Sequence, residues 1–131
     1  MLVTDEARTD VRILLVEDDV TTLLVLRKML ERLGYTVLIA DDGAKGLGIY
    51  DQNQMKIDML LTDVMMPGLS GRKLAERVRA SRPDLPILFI SGFIDAGSVG
   101  DMLTGSAFLS KPIAQDRLAR EIKRLITTGG L

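Results

Sequence analysis

Residues Ile13–Gly34 read ILLVEDDVTTLLVLRKMLERLG. The four apolar residues Ile13 to Val16 stop at Glu17, Asp18 and Asp19, and the apolar period then changes. Leu23, Leu26, Leu30 and Leu33 recur at i, i+3, i+7 and i+10, which is one face of a helix. Gly34 stands where a helix commonly ends in a left-handed residue. A short strand without alternation, leaving through an acidic turn into an amphipathic helix, is a β–α unit.

The rest of the chain repeats that unit. Val37–Ala40 (VLIA) is a second strand, and Asp42 with Gly43 opens a helix through about Tyr50. Ile57–Thr62 (IDMLLT) is a third strand ending at Asp63, followed by a loop with Pro67, Gly68, Ser70 and Gly71. Leu74 and Val78 mark a helix over Arg72–Ser81, and Ile87–Ile90 (ILFI) is a fourth strand. Ala107–Leu109 is a short fifth strand halted by Lys111-Pro112, and Leu118, Ile122 and Leu125 pattern a closing helix. Asp95–Gly105, with three glycines, predicts at most a short, weak helix. Apolar strands without alternation are those covered on both faces, so five of them between helices predict a doubly wound α/β fold on a parallel sheet. The expected division is a flexible lead-in over 1–10, one domain over 11–127 and a tail over 128–131.

The 131 residues suit one domain, which buries roughly two-thirds of its unfolded surface. A net charge of −1 supplies no global attraction to nucleic acid or an anionic membrane. With no cysteine and no histidine, thiolate metal sites, cysteine nucleophiles and Ser-His-Asp triads are excluded. Any chemistry runs on carboxylates, hydroxyls, lysine and arginine. No apolar run approaches a membrane span and Met1–Asp10 lacks a signal-peptide core, so a cytoplasmic protein is expected.

In an open parallel sheet, ligands gather beyond the carboxyl ends of the strands. There the sequence places Glu17, Asp18 and Asp19 after the first strand, Asp63 after the third, Ser91 after the fourth and Lys111 after the fifth. Clustered carboxylates repel one another unless a cation joins them. Mg²⁺ accepts one or two carboxylates together with phosphate oxygens. A carboxylate can attack phosphorus, and the charge on the phosphoryl oxygens then needs metal and lysine. Asp63 closes an apolar strand, where an unpaired carboxylate has no stability rationale. Asp19 is assigned the cap of the first helix. Pro67, Gly68 and Gly71 shape the loop, and Met65 and Met66 read as its apolar anchors, with Met65 a candidate shield against water. Phe108, one of only three phenylalanines, reads as a core aromatic. Arg117, Arg120, Lys123 and Arg124 read as a solvated face.

The acidic turn Val16–Asp19 (VEDD), the block Asp63–Gly71 (DVMMPGLSG), Ile90–Gly92 (ISG) and Lys111-Pro112 together resemble the receiver domain of two-component response regulators, in order and spacing, over about Ile13–Ile126. The resemblance implies a flavodoxin-like (βα)5 fold with strand order 2-1-3-4-5. It implies Asp63 as phospho-acceptor, with Glu17 and Asp18 holding Mg²⁺ and the backbone carbonyl of Met65 as a further metal ligand. Ser91 would bond the phosphoryl group, Lys111 would pair with its oxygens, Ser91 and Phe108 would form the switch, and Lys111-Pro112 would be cis. The implied donor is a sensor histidine kinase or a histidine phosphotransfer protein, with self-phosphorylation and dephosphorylation the only reactions catalysed. The implied state is a monomer or weak homodimer acting through protein contact and without nucleic acid. Phe108 replaces the family's common tyrosine, and the weak helix within 95–105 puts the usual output face in doubt. The S-G-F and A-F-L-S-K-P wording is similar to receivers at the ends of hybrid sensor kinases.

Three rival readings stand beside this resemblance. A haloacid-dehalogenase-type phosphatase needs a second aspartate where Met65 stands. A flavodoxin-like cofactor binder needs a hydroxyl- and glycine-rich loop where the acids Glu17–Asp19 stand. An interaction-only pseudo-receiver is opposed by the retained acids, Asp63, Ser91 and Lys111.

Overall fold

The computed structural model of the chain describes residues 10–92 and 104–129. The expected lead-in up to residue 9, most of the glycine-rich stretch 95–105, and residues 130–131 lie outside the described residues. The elements are β1 (Arg12–Val16), α1 (Val20–Arg32), β2 (Thr36–Ala40), α2 (Gly43–Gln52), β3 (Met59–Asp63), α3 (Gly71–Ser81), β4 (Ile87–Ser91), β5 (Ser106–Ser110) and α4 (Gln115–Gly129). Every strand pair is parallel, in the order β2-β1-β3-β4-β5. The expected fold and strand order are therefore present.

Successive strand residues point to opposite faces, so each strand feeds two cores. Ile13, Leu15, Met59, Leu61, Leu88 and Ile90 join Leu23, Leu26 and Leu30 of α1 and Leu118, Ile122 and Leu125 of α4. Leu14, Val16, Leu60, Ile87 and Phe89 join Tyr50 of α2 and Leu74, Ala75 and Val78 of α3. The unbroken apolar runs of the sequence are explained by this two-sided burial, complete along β3 and β4.

Some boundaries moved. Ile57 is buried but precedes β3, because its N–H closes the turn after α2 onto the Asn53 carbonyl (3.2 Å). Asp63 in turn is the last residue of β3, paired in register with Ile90. Leu33 caps α1 instead of belonging to it, and Gly34 follows with φ of 96°. The closing helix runs on to Gly129, into the stretch expected as a tail, with Ile126 packed on the α1/α4 core.

Helix α2 contains three glycines with different roles. A Cβ on Gly46 would lie 2.8 Å from Val16 Cγ2, so close approach to the sheet requires glycine there. A Cβ on Gly48 would meet nothing within 4 Å. Glycine weakens a helix interior relative to alanine, so Gly48→Ala is expected to raise the unfolding free energy by about 0.5–1 kcal/mol. Gly46→Ala is expected to lower it, and urea denaturation of both variants checks the pair; a loss at Gly48 would contradict the helix described.

Candidate functional site

The carboxyl ends of β1, β3 and β5 deliver the charged groups. Glu17 follows β1 and extends its ladder, donating its backbone N–H to the Ala40 carbonyl (3.1 Å), and its side chain is 0% exposed. Glu17 Oε2 accepts the Asp19 N–H at 3.0 Å. Glu17 Oε1 lies 2.7 Å from Lys111 Nζ. That ammonium is the one partner of the buried Oε1 among the described residues. Asp63 is 6% exposed; its Oδ1 accepts the Met65 N–H at 3.2 Å and its Oδ2 accepts from Lys111 Nζ at 2.9 Å. Lys111 itself is steered by the sheet: its N–H bonds the Ser91 carbonyl at 2.8 Å, and its peptide to Pro112 is cis.

The electrostatics follow from this crowding. Burial pushes the Glu17 carboxyl above its usual range, the Asp63 charge adds to the rise, and the Lys111 and Asp19 donors only partly oppose it. Burial alone would lower the Lys111 ammonium, but the bonds and charges of Glu17 and Asp63 prevail and raise it. Asp19 takes the role assigned to it: its carboxylate caps α1, accepting from the Thr22 N–H and hydroxyl at 3.0 and 2.5 Å, and those bonds hold it below the usual carboxylate range.

One oxygen each from Glu17, Asp18 and Asp63 lie within 4.8 Å of one another, and Asp18 is exposed. Three hard carboxylate oxygens with only one ammonium among them, and with solvent access beside Asp18, fit a divalent cation such as Mg²⁺ that keeps part of its water shell.

The structure brings together Glu17, Asp18, Asp63 and Lys111. Ser91 ends β4, buried, in register with Ser110. Phe108 sits on β5 opposite Phe89, half-buried against the α2/α3 core and not in the acid cluster. Of the two loop methionines, only Met66 anchors the loop; Met65 is 69% exposed, so the apolar-anchor reading of Met65 is corrected. Sequence reading assigned Lys111 to the phosphoryl oxygens and missed its pairing with Glu17, since contact between the ends of β1 and β5 is set by strand order. It also passed over Thr62, whose only signal was a hydroxyl inside an apolar strand.

Removing Lys111 would leave two nearly buried carboxylates uncompensated. Lys111→Met is expected to cost about 1–3 kcal/mol in metal-free protein, with added Mg²⁺ recovering part of it. Because the folded Lys111 value is raised, its contribution is full below the ordinary 10.5 and is lost as pH climbs past the raised value. Above neutral pH, where both carboxylates are charged, the stability gap between wild type and variant should therefore close only in strongly alkaline solution, as urea titrations from neutral pH upward will show.

Comparison with known proteins agrees with this geometry. Residues 13–123 match the family profile described as the response regulator receiver domain. The response regulator receiver protein CpdR of Brucella abortus is 38% identical over 118 residues, covering 88% of this chain and 96% of that protein. The receiver domain of the hybrid histidine kinase CckA has a TM-score of 0.76 at 38% identity, covering 88% of this chain and 98% of that one. A response regulator receiver protein from Sinorhizobium medicae superimposes with a TM-score of 0.85 at 26% identity, covering 92% and 97% of the two chains. Other relatives are longer: the chain spans 31% of the two-component response regulator ARR14 of Arabidopsis thaliana, to which it is 35% identical over 90% of its own length. With the family profile spanning most of the chain and the acidic cluster at the ends of its strands, this chain belongs to the response regulator receiver domains of two-component systems.

Proposed function

We propose that Asp63 accepts a phosphoryl group from the phosphohistidine of a sensor histidine kinase or a histidine phosphotransfer protein, in a Mg²⁺-dependent step, and that the modified domain switches a protein-interaction surface. The observation that carries this reading is the Asp63 carboxylate itself, nearly buried, 2.9 Å from Lys111 and grouped with Glu17 and Asp18. The histidine must come from the partner because this chain contains none.

In the transfer, a carboxylate oxygen of Asp63 forms the new O–P bond as the P–N bond of the donor breaks, and the electron pair of that bond stays on the imidazole nitrogen. Glu17, Asp18 and Asp63, with the backbone carbonyl of Met65, would hold Mg²⁺, whose positive charge would be available to the phosphoryl oxygens. Lys111 already stands on Asp63 Oδ2, so its ammonium is in place to follow those oxygens. Exposed Val20 and Leu24 on α1, just beyond Asp18, offer the donor protein an apolar surface beside the acceptor.

Phosphorylation adds up to about two negative charges and new acceptor oxygens at the end of β3. The Ser91 hydroxyl, at the end of the adjacent strand, would bond them, and half-buried Phe108 would move inward, altering the face made by β5 and α4. The domain catalyses only its own phosphorylation and dephosphorylation. No helix of the described residues is long and apolar enough to cross a membrane, in keeping with a cytoplasmic site of action.

Intact-mass spectrometry after incubation with acetyl phosphate, with and without Mg²⁺, checks the reading. The expected result is one phosphoryl adduct that requires Mg²⁺ and is absent from Asp63→Asn. A folded protein that takes up no phosphoryl group from acetyl phosphate or from a phosphorylated histidine donor would leave an interaction-only receiver instead.

A further inference from the structure

Thr62 is 0% exposed on β3 and lies on the strand face opposite Asp63. It is in register with Val16 on one side and Phe89 on the other, alongside the α2/α3 core. Valine would fill the same space there without a hydroxyl to satisfy. The Thr62 hydroxyl is satisfied by an adjacent group: Oγ1 donates to the main-chain carbonyl of Asp63 at 3.0 Å. The first residue of α3 presses on the same carbonyl, since a Cβ on Gly71 would lie 1.7 Å from that oxygen and 3.0 Å from Thr62 Oγ1. Gly71 in turn donates its N–H to the Val64 carbonyl at 3.0 Å.

We infer that Thr62 is a positioning residue for phosphoryl acceptance: its hydroxyl, together with the close seat of Gly71, sets the peptide plane from which Asp63 aims its carboxylate at Lys111 and the acidic pair. The inference rests on the reading of Asp63 as acceptor. Thr62 touches no reacting atom and acts only through the main chain of Asp63. The N–H of the same peptide unit, that of Val64, is bonded to the Ile90 carbonyl at 3.0 Å. Without the hydroxyl the unit keeps that anchor but loses the restraint on its carbonyl end, and the Asp63 main chain can shift. Small misplacements of a nucleophile weigh heavily on rate.

The test compares wild type, Thr62→Val and Thr62→Ser. Phosphorylation by acetyl phosphate is followed by intact mass at saturating Mg²⁺, and Mg²⁺ affinity is measured by calorimetry on the unphosphorylated proteins. Thr62→Val is expected to slow phosphorylation about tenfold and to weaken Mg²⁺ binding. Thr62→Ser, which restores the donor, is expected to stay within about twofold of wild type in both. If the valine variant does not fold, Thr62→Cys, a weak donor of similar size, takes its place.

A valine variant matching wild type in rate and affinity overturns the inference, whatever its thermal stability. Equal losses in valine and serine variants also overturn it, because the missing methyl and not the hydroxyl would then matter. A wild type that binds Mg²⁺ but takes no phosphoryl group overturns the acceptor reading alone, and the Mg²⁺ affinities then decide the role of Thr62. A wild type that takes up neither overturns both.

Discussion

Two carboxylates cannot sit nearly buried and adjacent without a cation, and in this chain the Lys111 ammonium is that cation. Its nitrogen stands 2.7 Å from Glu17 and 2.9 Å from Asp63. Its attraction only partly offsets the desolvation that raises the Glu17 carboxyl. The arrangement is thus incompletely compensated by the protein alone, and it faces solvent through Asp18. A site left short of positive charge is one that a divalent ion and a phosphoryl group can enter and rearrange.

The sheet makes that crowding unavoidable. Parallel strands end on one edge, and the order β2-β1-β3-β4-β5 sets the ends of β1 and β3 side by side. The Lys111 N–H bond to the Ser91 carbonyl ties the start of the β5 exit to β4, which directs the lysine back across β4 toward Asp63. On the opposite side of β3, α3 begins at a glycine because any larger residue would collide with the Asp63 carbonyl. Asp63 is therefore held through its main chain by Thr62 and Gly71, and through its side chain by Lys111 and the Met65 N–H.

The same geometry relates the site to its family. Receiver domains sharing 26–38% identity with this chain superimpose over 88–92% of it with TM-scores of 0.76–0.85. Longer relatives such as ARR14 carry further sequence beyond the part matched here. Val20, Leu24 and Val25 leave an exposed apolar side on α1, while α4 carries Arg117, Arg120, Lys123 and Arg124.

Much was legible from local pattern. Ile13–Val16, Ile87–Ile90 and the leucine stripe of α1 have one reading each, because burial on two faces and burial on one stripe leave different periods. The acids, Asp63, Ser91 and Lys111 each stand at or just past the end of a strand, so the rule for ligand sites in parallel sheets located them before any contact was visible. Ile57 misled because turn closure and strand burial both favour an isoleucine. Met65 misled because adjacent methionines look alike until the loop chooses which one to bury. Strand positions, helix faces and the inventory of reactive groups were therefore determined by the sequence by itself. The pairing of Lys111 with Glu17 and the seat of Gly71 on Asp63 were decided only by the tertiary structure, since each depends on the distance between chain segments that are remote in sequence and brought together by strand order.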